Sequence, residues 1–206
     1  DGVLVDSVEV KTDAFATLFT PFGTDVVQRV VDHHRRHGGM NRFEKIRRYY
    51  LEFLGRSLEE DEITDLCAQF SRLVVEKVIA APEIAGVREF LNEYAVVKPC
   101  FVVSATPQDE LLEIINRRGW SANFKNIRGA PASKKDNLSS LLGEEGLHGV
   151  KCLYFGDSSA DYLAARDCGV PFIGILPSPT APLLRDYPDL FWVKDFFRLL
   201  PPNKVS

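Results

Sequence analysis

Residues 154–175, YFGDSSADYLAARDCGVPFIGI, decide how the chain is to be read. An apolar run ends at Gly156-Asp157, a polar turn carries Ser158, Ser159 and Asp161, a helical pattern runs to Cys168, and Gly169 and Pro171 lead into a second apolar run. Strand, turn, helix, turn and strand in one short segment is the pattern of two parallel strands joined by a crossover helix. The alternation extends outward. PCFVVSA at 99–105, NIRGA at 126–130, VKCLYFGD at 150–157, VPFIGIL at 170–176 and LFWVKDF at 190–196 are short runs, most of them rich in Val, Ile and Phe. The fold class they indicate is α/β, a Rossmann-like parallel sheet core.

Before Pro82 the pattern is different. SVEVKTDAFATLF at 7–19, TDVVQRVVDHHRRHG at 24–38, NRFEKIRRYYLEFLG at 41–55 and LEEDEITDLCAQFSRLVVEKVIAA at 58–81 repeat apolar residues every three or four positions, which predicts helices. The opening DGVLVDS, 1–7, reads as the exit of a buried strand and is assigned to the α/β part, since an apolar strand end cannot stand alone before a helical bundle. The predicted organisation is a core of residues 1–7 and 82–206 with an inserted helical cap at 8–81. The tail LLPPNKVS, 199–206, reads as a frayed end.

Composition bounds the function. The chain has 206 residues, 45% hydrophobic, and a net charge of -4, so it can bury a full core and has no cationic surplus for a phosphate backbone. No nucleic acid is expected as a partner. No apolar run reaches the length of a membrane span, no membrane association is expected, and the cytoplasm is the simplest location. Cys67, Cys100, Cys152 and Cys168 form no C-x-x-C pair and suit reduced core thiols.

In open parallel sheets, ligands gather at the carboxyl ends of the strands. Asp1 follows the opening run, Ser104 and Thr106 follow CFVV, Lys134 lies at a predicted helix start in GAPASKKDNL, 129–138, and Asp157 and Asp161 follow CLYF. Three aspartates make a hard-oxygen site suited to Mg²⁺, and one Mg²⁺, one Lys and one hydroxyl are the usual parts for phosphoryl transfer. Each has a plainer reading too. Asp157 and Asp161 suit a loop and a helix cap, Ser104 a cap for the helix near Pro107, and Lys134 beside Lys135 a solvated helix face.

Taken together, DGVLVDS, FVVSATP at 101–107, GAPASKKDNL and YFGDSSADYLAARDCGVPFIGI resemble the four motifs of haloacid dehalogenase superfamily phosphatases of the phosphoglycolate phosphatase-like type. The resemblance covers nearly the whole chain, and its fourth motif is the most specific. It implies a Mg²⁺-dependent phosphatase that hydrolyses a small phosphomonoester through an aspartyl-phosphate. Asp1 is implied as general acid and base with its backbone carbonyl on Mg²⁺, Ser104 as a hydrogen bond to the phosphoryl group, Lys134 as the steadying cation, Asp157 as the direct Mg²⁺ ligand and Asp161 as its support. The nucleophilic Asp is expected two positions before Asp1, outside this sequence, so this chain by itself is expected to be inactive. A sugar-phosphate phosphomutase and a non-catalytic phosphometabolite-binding protein are the alternatives.

In the cap, HHRRHGGMNRFEKIRRYY at 33–50 crowds cations around Gly38-Gly39. Arg42 and Lys45 are the candidates for gripping a substrate anion, with a solvated basic face as the plainer reading. His33, His34 and His37 are read as surface residues rather than metal ligands, and Gly38 and Gly39 as a close backbone approach to ligand. FTPFG, 19–23, either lines the pocket or packs the cap core. Two crossings, near Val5 to Val8 and Ala81 to Gly86, would let the cap open and close. The expected partner is a small phosphorylated metabolite, and the expected oligomeric state is a monomer or homodimer.

Overall fold

The structure is a computed structural model and describes residues 1–201. Four helices come first: α1 (Val8–Phe19), α2 (Thr24–Arg36), α3 (Arg42–Leu54) and α4 (Glu60–Ala80). Their ends follow from local chemistry. Asn41 accepts the Glu44 amide to start α3, Gly55 ends it in the left-handed region at φ 65°, and Glu59 and Glu62 cap α4 reciprocally. Each helix turns one face inward, so Phe15, Phe19, Val30, Ile46, Tyr49, Phe70 and Val74 form a shared apolar centre. Phe19 and Phe22 of FTPFG meet the Tyr50 ring edge-on, so this segment packs the helices and does not line the large cavity.

The remainder alternates as expected. α5 (Val87–Tyr94) precedes β1 (Phe101–Pro107), α6 (Gln108–Arg117), β2 (Asn126–Ala130), α7 (Lys134–Glu144), β3 (Tyr154–Gly156), α8 (Ser159–Asp167), β4 (Phe172–Ile175), α9 (Pro182–Asp186) and β5 (Trp192–Val193). All pairings between these strands are parallel, but they form two half-sheets, β1–β2 and β3–β4–β5. Between them is a cavity of about 1030 Å³, walled by Val102 and Val103 of β1, Tyr154 and Phe155 of β3, and Leu138 and Leu141 of α7. It is an apolar slot with strands on either side.

DGVLVDS is held to the second crossing: Val5 makes one antiparallel bridge to Glu83, the Asp6 amide donates to Pro82 and the Ile84 amide to Leu4. No parallel neighbour runs beside it, so no ladder forms, although Val3 and Leu4 do pack on the core residues Val87, Leu91, Ile175 and Phe196. Of the cysteines, all free, only Cys67 is fully buried. Among the described residues no helix is long and apolar enough to cross a membrane. Residues 202–206, most of the predicted frayed tail, lie outside the described ones.

The helices and the α/β part share a boundary. Leu111, Ile114 and Ile115 of α6 join the apolar centre of α1–α4. The Arg118 guanidinium donates to the carbonyls of Val78, Ile79 and Ala81, satisfying acceptors that the end of α4 leaves open. The two crossings near Val5 and Pro82 therefore lie side by side and are hydrogen-bonded to each other.

Candidate active site

β1 carries Ser104 and Thr106, the first turns of α7 and α8 carry Lys134 and Asp161, and Asp157 follows β3; together with Asp1 they line the same cavity. Ser133 caps α7 by accepting the Asp136 amide at 3.1 Å, which sets Lys134 on the first helical turn. The Lys134 ammonium reaches the Asp161 Oδ1 at 2.6 Å, whereas Lys135 turns outward to Asp167. Lys134 is thus the residue of the pair that belongs to the cavity.

Asp161 is buried and fully engaged. It accepts from Lys134, from the Tyr154 hydroxyl at 3.0 Å and from Ser158 Oγ at 2.5 Å. Burial alone would raise its carboxyl, but Lys134 and these hydrogen bonds hold it below the ordinary carboxylate range. Asp157 is the opposite case: half-buried, with its carboxyl raised by desolvation and by the charge of Asp161. Gly2, at φ 67°, lies directly against it, where any Cβ would collide with the carboxylate.

Asp1 does not join these two as a side-chain ligand. Its carboxylate accepts from Ser7 Oγ and from the Lys11 ammonium, and among the described residues no three His, Cys, Asp or Glu side chains are grouped to hold a metal ion. The Asp1 and Asp161 carboxylates each have a lysine partner, Lys11 and Lys134, so the parts implied for them are the Asp1 backbone carbonyl and support of Asp157 through Lys134. The donor chemistry still fits an oxygen-preferring cation at Asp157, the one carboxylate of the three with no lysine partner. Ser104 caps no helix; its Oγ accepts the Thr106 amide at 3.1 Å, and α6 begins after Pro107.

The cap-side cations divide. Arg42 is buried and committed: its guanidinium forks onto Glu110 of α6 at 2.6 and 2.9 Å and also donates to Ser71 of α4. The expected substrate contact therefore starts from a guanidinium already engaged by a buried carboxylate across the helical boundary. Lys45 is buried to 1% exposure and donates to His34 Nδ1 at 2.8 Å. Burial, then Lys11 and Lys134, lower its ammonium to about 7.

His33 and His34 are also buried, contrary to a surface reading. His33 bonds the Tyr49 hydroxyl at 3.1 Å and stacks on His37, while His34 is pushed down to about 2 by burial and then by Lys45. Gly39 approaches the core loop closely, where a Cβ would meet Ser158 and Ala160.

One residue went unpredicted. Lys11 of α1 bonds Asp1 and donates to Thr106 Oγ1 at 3.0 Å, and burial followed by the charge of Arg42 lowers it to about 7. The available signal was its position one helical turn after Ser7, which puts both groups on the side facing Asp1.

With this geometry in view, a family model described as haloacid dehalogenase-like hydrolase matches residues 1–175. The chain belongs to the haloacid dehalogenase-like hydrolase family. No curated protein matches it. Solved structures similar to it include a β-phosphoglucomutase from Clostridium difficile (TM-score 0.77, 17% identity, covering 97% of this chain and 90% of that one). A predicted phosphoglycolate phosphatase from Haemophilus somnus gives 0.69 at 19% identity, with 97% and 92% covered. A haloacid dehalogenase-type hydrolase from Bacillus subtilis, described as bound to magnesium, gives 0.68 at 15%, with 97% and 93% covered. At these identities the likeness is one of fold: the two half-sheets and their helices form a haloacid dehalogenase-like α/β core of Rossmann-like type.

Proposed function

We propose that the chain is the frame of a Mg²⁺-dependent phosphomonoesterase for a small phosphorylated metabolite, with residues 8–81 as its cap. The observation that carries this reading is the convergence of Ser104, Lys134, Asp157 and Asp161, from β1, the turn after β3 and the first turns of α7 and α8, on one cavity. Ser104 and Thr106 would orient the phosphoryl oxygens, and Lys134, steadied by Asp161, would offset their charge. Asp157, with the Asp1 backbone carbonyl, would hold Mg²⁺. When bound, Mg²⁺ supplies positive charge beside the transferring group. Asp1 would pass a proton to the leaving oxygen and later take one from water, with Lys11 and Ser7 holding its carboxylate in place.

The attacking carboxylate in this proposal stands two positions ahead of Asp1, on a strand lying in the slot between β1 and β3. The test is phosphate release from a panel of phosphomonoesters by the chain extended with such a strand. Mg²⁺-dependent release that falls about 100-fold in Asp157→Asn and in Lys134→Ala is expected. Release unaffected by both substitutions overturns the assignment. Transfer within a sugar phosphate without phosphate release would identify a phosphomutase instead.

A further inference from the structure

With residues 8–81 taken as the cap, its two sides meet the α/β part in unlike ways. On the α6 side the contact is deep, and charged groups cross it. Leu111, Ile114 and Ile115 sit in the apolar centre of α1–α4. The Arg42 guanidinium, buried to 5% exposure, forks onto Glu110 and lies 4.6 Å from the Phe70 ring, while Ser71 Oγ lies 2.8 Å from the same carboxylate. Further along α6, Arg117 forks onto Glu76 of α4 and Arg118 holds the carbonyls at the end of α4. Lys11 adds a bond to Thr106 at the end of β1. The α8 side is bare packing. There the Gly38-Gly39 turn rests on Ser158 and Ala160, and among the described residues no hydrogen bond or ion pair joins 8–81 to 131–201.

We propose that the cap is jointed to the α/β part along α6, with Arg42, Glu110 and Ser71 as the joint, and that the cavity opens at the seam between Gly38-Gly39 and Ser158-Ala160. Parting the α6 side would expose Leu111, Ile114 and Ile115 to water and undo a forked charge pair, whereas parting the seam uncovers only small side chains. The seam therefore gives way first. Ser158 follows Asp157 and its hydroxyl bonds Asp161, so an open seam admits solutes beside both aspartates while Lys11 stays on Thr106. The motion is a one-sided opening about α6, not the free rocking that two chain crossings alone would permit.

The test measures distances and needs no turnover, so its failure and a failure of the phosphatase reading are told apart. Spin labels carried on p-acetylphenylalanine are placed pairwise at three exposed positions, Leu51 of α3, Leu112 of α6 and Phe191 just before β5, and read by pulsed electron resonance in the 206-residue chain. The pair Leu51–Leu112, across the joint, and the pair Leu112–Phe191, within the α/β part, are expected to give single narrow distances. Leu51–Phe191, across the seam, is expected to give a broad or two-peaked one. A Leu51–Phe191 distance as narrow as the others overturns the opening, and a broad Leu51–Leu112 or Leu112–Phe191 distance overturns its place. In Glu110→Gln, which keeps the side-chain volume but removes the charge facing Arg42, Leu51–Leu112 is expected to broaden while thermal melts show the variant folded. An unchanged width there would remove the ion pair from the joint. The three distances in the parent chain decide the seam independently of that variant.

Discussion

Asp161 and Lys45 are both buried charges on the wall of one cavity, and they are treated in opposite ways. Asp161 receives a lysine, a phenol and a serine hydroxyl, whereas Lys45 receives one neutral imidazole. The first is a finished structural unit whose role is to fix Lys134 beside Asp157. The second is unfinished within the chain, and so is the Asp157 carboxyl, which burial and Asp161 push upward. Burial is answered inside the protein for Asp161 by opposite charge and hydroxyls, and for Lys45 by a single neutral nitrogen.

Removing the paired charge should do the most damage. Asp161→Ala strands the Lys134 ammonium together with the Tyr154 and Ser158 hydroxyls, and a loss of about 3 kcal/mol in urea unfolding is expected. A loss near zero would show that the network stabilises nothing.

Removing the unpaired charge should act with the opposite sign. Lys45→Met is expected to stabilise the chain by about 2 kcal/mol at pH 6. The ammonium titrates at about 7 in the folded chain against 10.5 unfolded, so the unfolded chain holds the extra proton between those values. The penalty is therefore full below pH 7 and is relieved as pH rises toward 10.5, at a slope of at most about 1.4 kcal/mol per unit. Melts at pH 6 and pH 9.5 should show the variant's advantage disappearing or reversing. A constant gap would mean that Lys45 is not the titrating group.

Two smaller effects sharpen the same contrast. Gly39→Ala drives a methyl group into Ser158 and Ala160 and should cost about 1–2 kcal/mol, with faster amide exchange confined to residues 38–41. Thr106→Val removes an acceptor of Lys11 and should cost about 1 kcal/mol, since Asp1 remains as its partner.

The parallel strands and the four helices were legible because Val, Ile and Phe runs and three-to-four spacings are local properties. Lys134 could be favoured over Lys135 from its spacing to Gly129, and the Ser133 cap seen in the structure explains why. What was not legible is long-range pairing. Arg42 finds Glu110 across 68 positions, and nothing near either residue announces the other. His33 and His34 sit among arginines, which suggested a surface, yet they lie three and four positions after the buried Val30 and share its face. The opening DGVLVDS has strand composition, but a ladder exists only with a neighbour in register, and its one β-bridge is that of Val5 to Glu83.

The slot between the half-sheets is the most direct place to test the account. Phosphate release from the phosphomonoester panel, with Mg²⁺, compares the 206-residue chain with the same chain preceded by an apolar strand ending in Asp-X before Asp1. The account predicts silence in the first and turnover in the second. Equal turnover in both would contradict it, because the attacking carboxylate would then have to lie within these residues.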